Sequence, residues 1–271
     1  MGSDLVGHYS AAAEGERLFR SPHGRLEFLR TRELIRRRLT GAVRVLDIGG
    51  GTGVHAEWLA RDGHSVHLID PVPAHVAAAA TLPGVTAMVG DARRLPVADH
   101  TVDVVLMLGP LYHLTEAADR AIALGEAIRV LRPGGLLIAA AISRYLSVLE
   151  TGTNGTLDEA LLPSVREVID TGQYDEHAGF VATHWHTADE LRAELAAAGM
   201  REVEIYGIEG PAWPTLDRAG LDNFGPLVSA ALHCARLVEQ DPLLINTSAH
   251  LLGIARVRDQ TQSSSQSQLS C

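Results

Sequence analysis

The chain contains no lysine: all 23 of its basic residues are arginine. That absence removes several chemistries together. A Schiff-base lysine for pyridoxal phosphate, the phosphate-cradling lysine of a P-loop and the Tyr-x-x-x-Lys pair of short-chain dehydrogenases each need an amine that is missing here. Cysteine is nearly as scarce, and Cys234 and Cys271 have the spacing of neither a metal cluster nor a disulfide framework. Positive charge is outweighed, leaving a formal net charge of -10. An acidic surface of this kind repels phosphate backbones and anionic lipid, which argues against nucleic acid and membrane as partners. No apolar run reaches the length of a signal-peptide core or a membrane span, so a cytoplasmic protein is expected.

What is present is enough apolar material, 46% of 271 residues, to bury the core of one large α/β domain. Residues 11–39 place Leu26, Phe28, Leu29, Leu34, Ile35 and Leu39 at helical spacing, so residues 1–40 read as an N-terminal helical cover. Val43 to Ile48 is a short β-branched run that ends in Gly49-Gly50-Gly51-Thr52-Gly53, followed by helical residues 54–60. The alternation continues: strands at residues 65–69, 85–89, 102–108 and 136–142, with helices at residues 73–80 and 116–131 between them. A parallel sheet with right-handed crossovers is the expected result. After Arg144 the pattern breaks, and residues 145–182 and 210–244 read as irregular insertions over the ligand edge of a domain spanning residues 41–258. Between them stand a helix at residues 187–198 and a strand at residues 203–208. A last strand covers residues 249–257, and the serine- and glutamine-rich residues 259–271 read as a disordered tail.

The glycine turn lets a ligand approach the backbone where side chains would block it. As Gly51-x-Gly53-x-x-Ala56 it also fits the dinucleotide fingerprint, so the turn alone does not separate NAD from S-adenosylmethionine. Asp47 separates them better, because a carboxylate two residues ahead of Gly49 repels a pyrophosphate and welcomes an ammonium and a sulfonium. Asp70, at the end of the second strand, has the place of an acid that accepts the ribose hydroxyls. Asp91 ends the third strand, where it can accept from an adenine amino group. Any one of these acids alone would read as a helix cap or a solvated turn residue. Three at successive strand ends form one binding line.

The strings VLDIGGGTG, HLIDPV, VGDARRLPVADHTVDVVLMLGPLYHL and EAIRVLRPGGLLIAA, spanning residues 43–142, resemble the ordered motifs of class I S-adenosylmethionine-dependent methyltransferases. The flanking Leu26-Glu27-Phe28, Thr187 to Leu191, Glu209 to Trp213 and Ser248 to Leu252 are similar to a bacterial group of small-molecule methyltransferases with mixed substrates. His100 and Thr101 depart from the phenylalanine-rich turn that the family often has there. The resemblance implies a Rossmann-like, seven-stranded, mostly parallel sheet with helices on both faces and an antiparallel last strand. It also implies S-adenosyl-L-methionine as cofactor, S-adenosyl-L-homocysteine as product, and cofactor contacts at Asp47, Gly49, Gly51, Asp70, Pro71, Asp91, Ala92 and Leu108. Tyr9 is expected to close over the cofactor, and Arg30, unless it belongs to a solvated helix face, to pair with the methionine carboxylate.

Methyl transfer is an in-line displacement on an activated carbon, so positioning and exclusion of water can supply most of the acceleration. A hydroxyl or ammonium acceptor needs a base, and His113, after the fourth strand, is the candidate; its alternative is a loop histidine bonded to backbone. His184 and His186 flank Trp185 and project to one face of an extended segment. They read as pocket lining ahead of a second base pair or a metal dyad, since no neighbouring cluster in the sequence completes a metal shell, and no metal is expected. Tyr112, Trp185 and Trp213 are candidate walls of the acceptor pocket, Trp213 equally a core residue. The expected function is transfer of a methyl group to an O, N or C atom of a small metabolite, including secondary metabolites, with a homodimer as the assembly to test. The alternatives are a methyltransferase-like binding or cyclising protein that transfers nothing, and an NAD-dependent oxidoreductase.

Overall fold

The computed structural model describes residues 18–175 and 181–258. Helix α1 (Pro22–Arg36) starts where Ser21 accepts a hydrogen bond from the Gly24 amide and Pro22 occupies the first turn, and it buries Leu26, Leu34 and Ile35. The sheet follows: β1 (Arg44–Ile48), α2 (Val54–Arg61), β2 (Ser65–Asp70), α3 (Pro73–Ala79), β3 (Val85–Val89), β4 (Val102–Met107), the short α4 (Pro110–His113), α5 (Ala117–Val130) and β5 (Leu131–Ile142). Residues 145–182, expected to be irregular, hold two helices, α6 (Leu146–Asn154) and α7 (Leu162–Thr171), and the strand β6 (Gln173–Tyr174). After β7 (Thr183–His184) come α8 (Ala188–Ala197) and β8 (Arg201–Gly207). The second expected insertion is largely helical, with α9 (Trp213–Ala219) and α10 (Phe224–Val238), and β9 (His250–Arg256) completes the sheet.

The seven strands run in the order β3-β2-β1-β4-β5-β9-β8. Pairs β1–β2, β1–β4, β2–β3 and β4–β5 are parallel, while β9 pairs antiparallel with both β5 and β8. Alternate residues of each strand feed opposite layers, as the two-residue strand period requires. Leu46, Val105 and Leu137 pack beneath α5 and α8, through Leu124, Ala127, Leu191 and Leu195. Val45, Val104 and Ile138 pack under α1 and α2, through Leu34, Ile35 and Leu59. The order in which strands are added reverses between the parallel neighbours β1 and β4, which opens the crevice beyond their carboxyl ends where such sheets take ligands. Among the described residues no helix is long and apolar enough to cross a membrane.

Candidate functional site

The floor of the site is the turn after β1. Gly49 has φ +68°, and a Cβ there would lie 2.8 Å from Cγ of Pro110. At Gly50 the added carbon would meet Oδ2 of Asp47 at 2.5 Å. Both positions therefore demand glycine: one by backbone conformation and space, the other because the turn folds directly over a carboxylate. That carboxylate is 1% exposed, and its Oδ2 has no hydrogen-bond partner among the described residues. Burial, reinforced by the charge of Asp70, pushes the Asp47 pKa up to about 7.

Asp70 lives differently. Its Oδ2 accepts from the Gly51 amide at 2.9 Å, Oδ1 accepts from the Val72 amide at 2.9 Å, and His75 Nδ1 lies 3.1 Å from Oδ1. These contacts hold the carboxylate at the glycine turn. Asp91 is gripped by Arg93, whose backbone amide, Nε and Nη2 donate to it at 2.9, 3.1 and 2.7 Å while Nη1 reaches Asp119. Those hydrogen bonds hold the Asp91 carboxyl below its usual range.

Two clefts meet at this turn. The first lies between the ends of β1, β2, β3 and β4, and is lined by Asp70, Pro71, Asp91, Ala92 and His113. The second lies under α1 and is lined by Glu27, Thr31, Asp47, Leu108 and Ile208. Gly49, Gly51, Gly109 and Tyr112 border both, so an elongated ligand laid across the turn would occupy the two together. Acids already held in place stand at one end of such a ligand and an unpartnered carboxylate stands at the other. That donor set fits a nucleoside joined to a cationic tail, which S-adenosylmethionine is, and offers a pyrophosphate no described cation.

Several expected residues are elsewhere. Arg30 is fully buried, its Nε donating to the Ile208 carbonyl at 3.1 Å, Nη1 to Glu33 at 2.8 Å and Nη2 to Glu239 at 2.5 Å. It borders neither cleft and locks α1 to the ends of β8 and α10, so the expected pairing with a methionine carboxylate is corrected. Trp213 is core, packed with Leu26, Leu216 and Ala231 and donating Nε1 to the Thr247 carbonyl. Trp185 stacks on Tyr174 with ring centroids 4.7 Å apart and joins Tyr112, Ile142 and Val168 in a buried cluster rather than a cleft wall. His184 and His186 are likewise buried and line neither cleft. Burial first, then the neighbouring His186 and Arg120, lowers the His184 pKa to about 4. The expectation that nothing completes a ligand set around them is corrected too, because Glu194 of α8 stands 3.2 Å from His186 Nε2. Tyr9 lies outside the described residues.

A group not expected from sequence borders the second cleft. Glu209 is fully buried, its Oε2 accepting from the His250 amide at 2.9 Å and Oε1 lying 2.7 Å from His250 Nδ1; Glu27 Oε2 stands 3.7 Å from the same ring. His23 pairs with Asp217 nearby at 2.5 Å, and although burial works against its charged form, that partner leaves the His23 pKa raised. These residues come from α1, the end of β8, the start of β9 and α9. The Leu26-Glu27-Phe28, Glu209 to Trp213 and Ser248 to Leu252 strings pointed toward them, with no spacing to reveal that they meet.

Comparison with known proteins agrees with this geometry. The family model described as a methyltransferase domain matches residues 46–139. An uncharacterized methyltransferase of Mycobacterium tuberculosis is 41% identical over 97 residues, which is 35% of this chain and only 38% of that protein's length. A malonyl-acyl-carrier-protein O-methyltransferase of Geobacter sulfurreducens is 32% identical over 211 residues, 72% of this chain and 73% of that protein. Among solved structures, the fold resembles a SAM-dependent methyltransferase of Thermotoga maritima, described as a possible histamine N-methyltransferase, with TM-score 0.56 and 20% identity over 88% of this chain and 92% of that one. By its motif block, its strand order and a relative aligned along most of both sequences, the chain belongs to the class I S-adenosylmethionine-dependent methyltransferases.

Proposed function

We propose that this chain moves the methyl group of S-adenosylmethionine to an O, N or C atom of a small molecule seated where the two clefts meet. The observation that carries the reading is Asp47: a buried carboxylate with an unpartnered oxygen, roofed by a turn that only glycine can make. Leaving such a group without a partner is costly, and a ligand cation offsets that cost. S-adenosylmethionine, when bound, supplies a methyl carbon already activated by its sulfonium.

The remaining work belongs to the chain's own residues. Asp70 is set to accept from the ribose hydroxyls, Asp91 with Ala92 to meet the adenine edge, and Pro71 to close the cleft beside them. Asp47 balances the ammonium, and Leu108 and Tyr112 pack along the tail. With Arg30 committed elsewhere, the methionine carboxylate is left to the backbone N–H groups that open α2, whose Val54 and His55 border the second cleft. His113, on α4 at the edge of the first cleft, takes the acceptor's proton on an imidazole nitrogen. The Glu27–Glu209–His250 group gives the acceptor side an acidic character, which favours a neutral or amine-bearing molecule over an anion.

The test has two stages. Calorimetry with S-adenosylhomocysteine should show one site per chain, weakened in Asp47→Asn; the purified protein should then transfer labelled methyl from S-adenosylmethionine into a fraction of a small-metabolite extract. Binding without any transfer would leave a cofactor-holding protein with a different task. No binding at all would remove the reading of the clefts.

A further inference from the structure

Another group of ligating side chains lies away from both clefts. His184 ends β7, His186 bridges to Ser143 just past β5, and Glu194 reaches in from α8. One nitrogen or oxygen from each lies within 4.8 Å of the other two. The two imidazoles are buried, with ring centroids 4.6 Å apart and planes at 88°, whereas Glu194 is only partly covered and leaves the group open on one side. Nδ1 of each ring has no hydrogen-bond partner among the described residues.

Three details point beyond an ordinary polar cluster. The 3.2 Å between His186 Nε2 and Glu194 Oε2 is long for a charge-assisted contact, which favours about 2.7–2.9 Å. It is close to the edge of a coordination tetrahedron with bonds of about 2.0–2.1 Å, roughly 3.3 Å. The carboxylate is also fixed from outside: Arg120 donates Nε and Nη2 to Oε1 at 2.8 and 2.7 Å and spends Nη1 on the carbonyls of Leu114 and Thr115, leaving Oε2 turned toward the imidazoles. An outer partner that orients a carboxylate in this way is the usual support of a metal ligand. Finally, the buried Nδ1 of His184, without a partner among the described residues, carries a desolvation cost that an ion would relieve.

We propose that His184, His186 and Glu194 form a binding site for a divalent transition-metal ion of the zinc class, with a fourth position left to water on the open side. Two nitrogen donors and one carboxylate suit zinc, cobalt or nickel and are poor for magnesium or calcium, which prefer oxygen. The ion would tie the end of the β6–β7 hairpin to α8. It would also brace α4, which packs on β7 and carries Tyr112 and His113. The three residues line neither cleft, so failure of this proposal would leave the reading of the cofactor clefts standing.

The experiment uses tag-free protein carrying Cys234→Ser and Cys271→Ser, stripped with chelator, dialysed, and titrated with zinc by calorimetry and with cobalt by absorption. One ion per chain is expected, with a dissociation constant of about 1 µM or tighter, and cobalt bands of a four-coordinate site. His184→Ala and His186→Ala should each weaken zinc roughly 100-fold or more, and Glu194→Gln about 10-fold, on the scale of losses seen even for outer-shell partners. Glu27→Gln, which alters the other His-carboxylate group, should leave zinc binding as it was. Circular dichroism checks that every variant is folded. Absence of one-to-one binding by the folded parent would overturn the site, leaving an ion-pair network only; so would full binding in both histidine variants, or loss of binding in Glu27→Gln.

Discussion

The two clefts that meet at the glycine turn are built on opposite plans. In the first, Asp70 and Asp91 already hold hydrogen bonds from Gly51, Val72 and Arg93, so their carboxylates are aimed before any ligand arrives. In the second, Asp47 is buried with an unpartnered oxygen, and its proton affinity is raised. One end of the ligand site is therefore preorganised and the other is held at a disadvantage until a cation enters. Preorganisation gives affinity without reshaping, whereas an unmet charge gives selectivity, because a ligand lacking positive charge cannot relieve it.

Mutation can break this contrast, starting with the largest expected effect. His113→Ala should lower turnover by about 10²–10⁴-fold, the range for loss of a positioned base, with at most a small change in affinity for S-adenosylhomocysteine; unaltered turnover would remove the base assignment. Asp70→Asn should weaken that ligand about 100-fold through loss of charged hydrogen bonds to the ribose, read by calorimetry. Asp47→Asn should weaken it about 10-fold and yet make the empty protein more stable at pH 8. The sign follows from linkage: a carboxyl whose folded pKa is about 7 against an ordinary 3.8 holds its proton in the folded state, so stability declines as pH rises between those values. The parent should thus lose up to a few kcal/mol from pH 4 to pH 8 relative to the asparagine variant. Melting curves of both proteins across that range decide it, and a variant less stable than the parent at pH 8 would show that Asp47 has a partner after all. Asp91→Asn should change affinity only a few-fold, because its partly exposed carboxylate is already shared with Arg93.

The row of acids was legible in the sequence because a parallel sheet converts chain order into spatial order. The first three strands, of five or six residues, end at the same edge, so Asp47, Asp70 and Asp91 fall in line once the strands are read. The cover offered no such ruler. Arg30 meets Glu239 across 209 positions of sequence, and Glu27, Glu209 and His250 converge from three separate elements, so composition and spacing carry no trace of those contacts. The region at 145–182 was misread for a different reason. Its glycines and proline looked like loop punctuation, but Gly155 and Gly172 are left-handed helix caps and Pro163 opens a helix, positions that the same residues favour for the same backbone reasons.

The antiparallel strand β9 has a temporal meaning as well as a spatial one. It comes after every other described strand in chain order, yet it is wedged between β5 and β8 rather than added at the rim. During synthesis β5 therefore waits with a bare flank, and β8 has no seat in the sheet until the final strand emerges to join them. A nascent chain halted before His250 should stay unfinished and sticky along that flank, however complete its glycine turn.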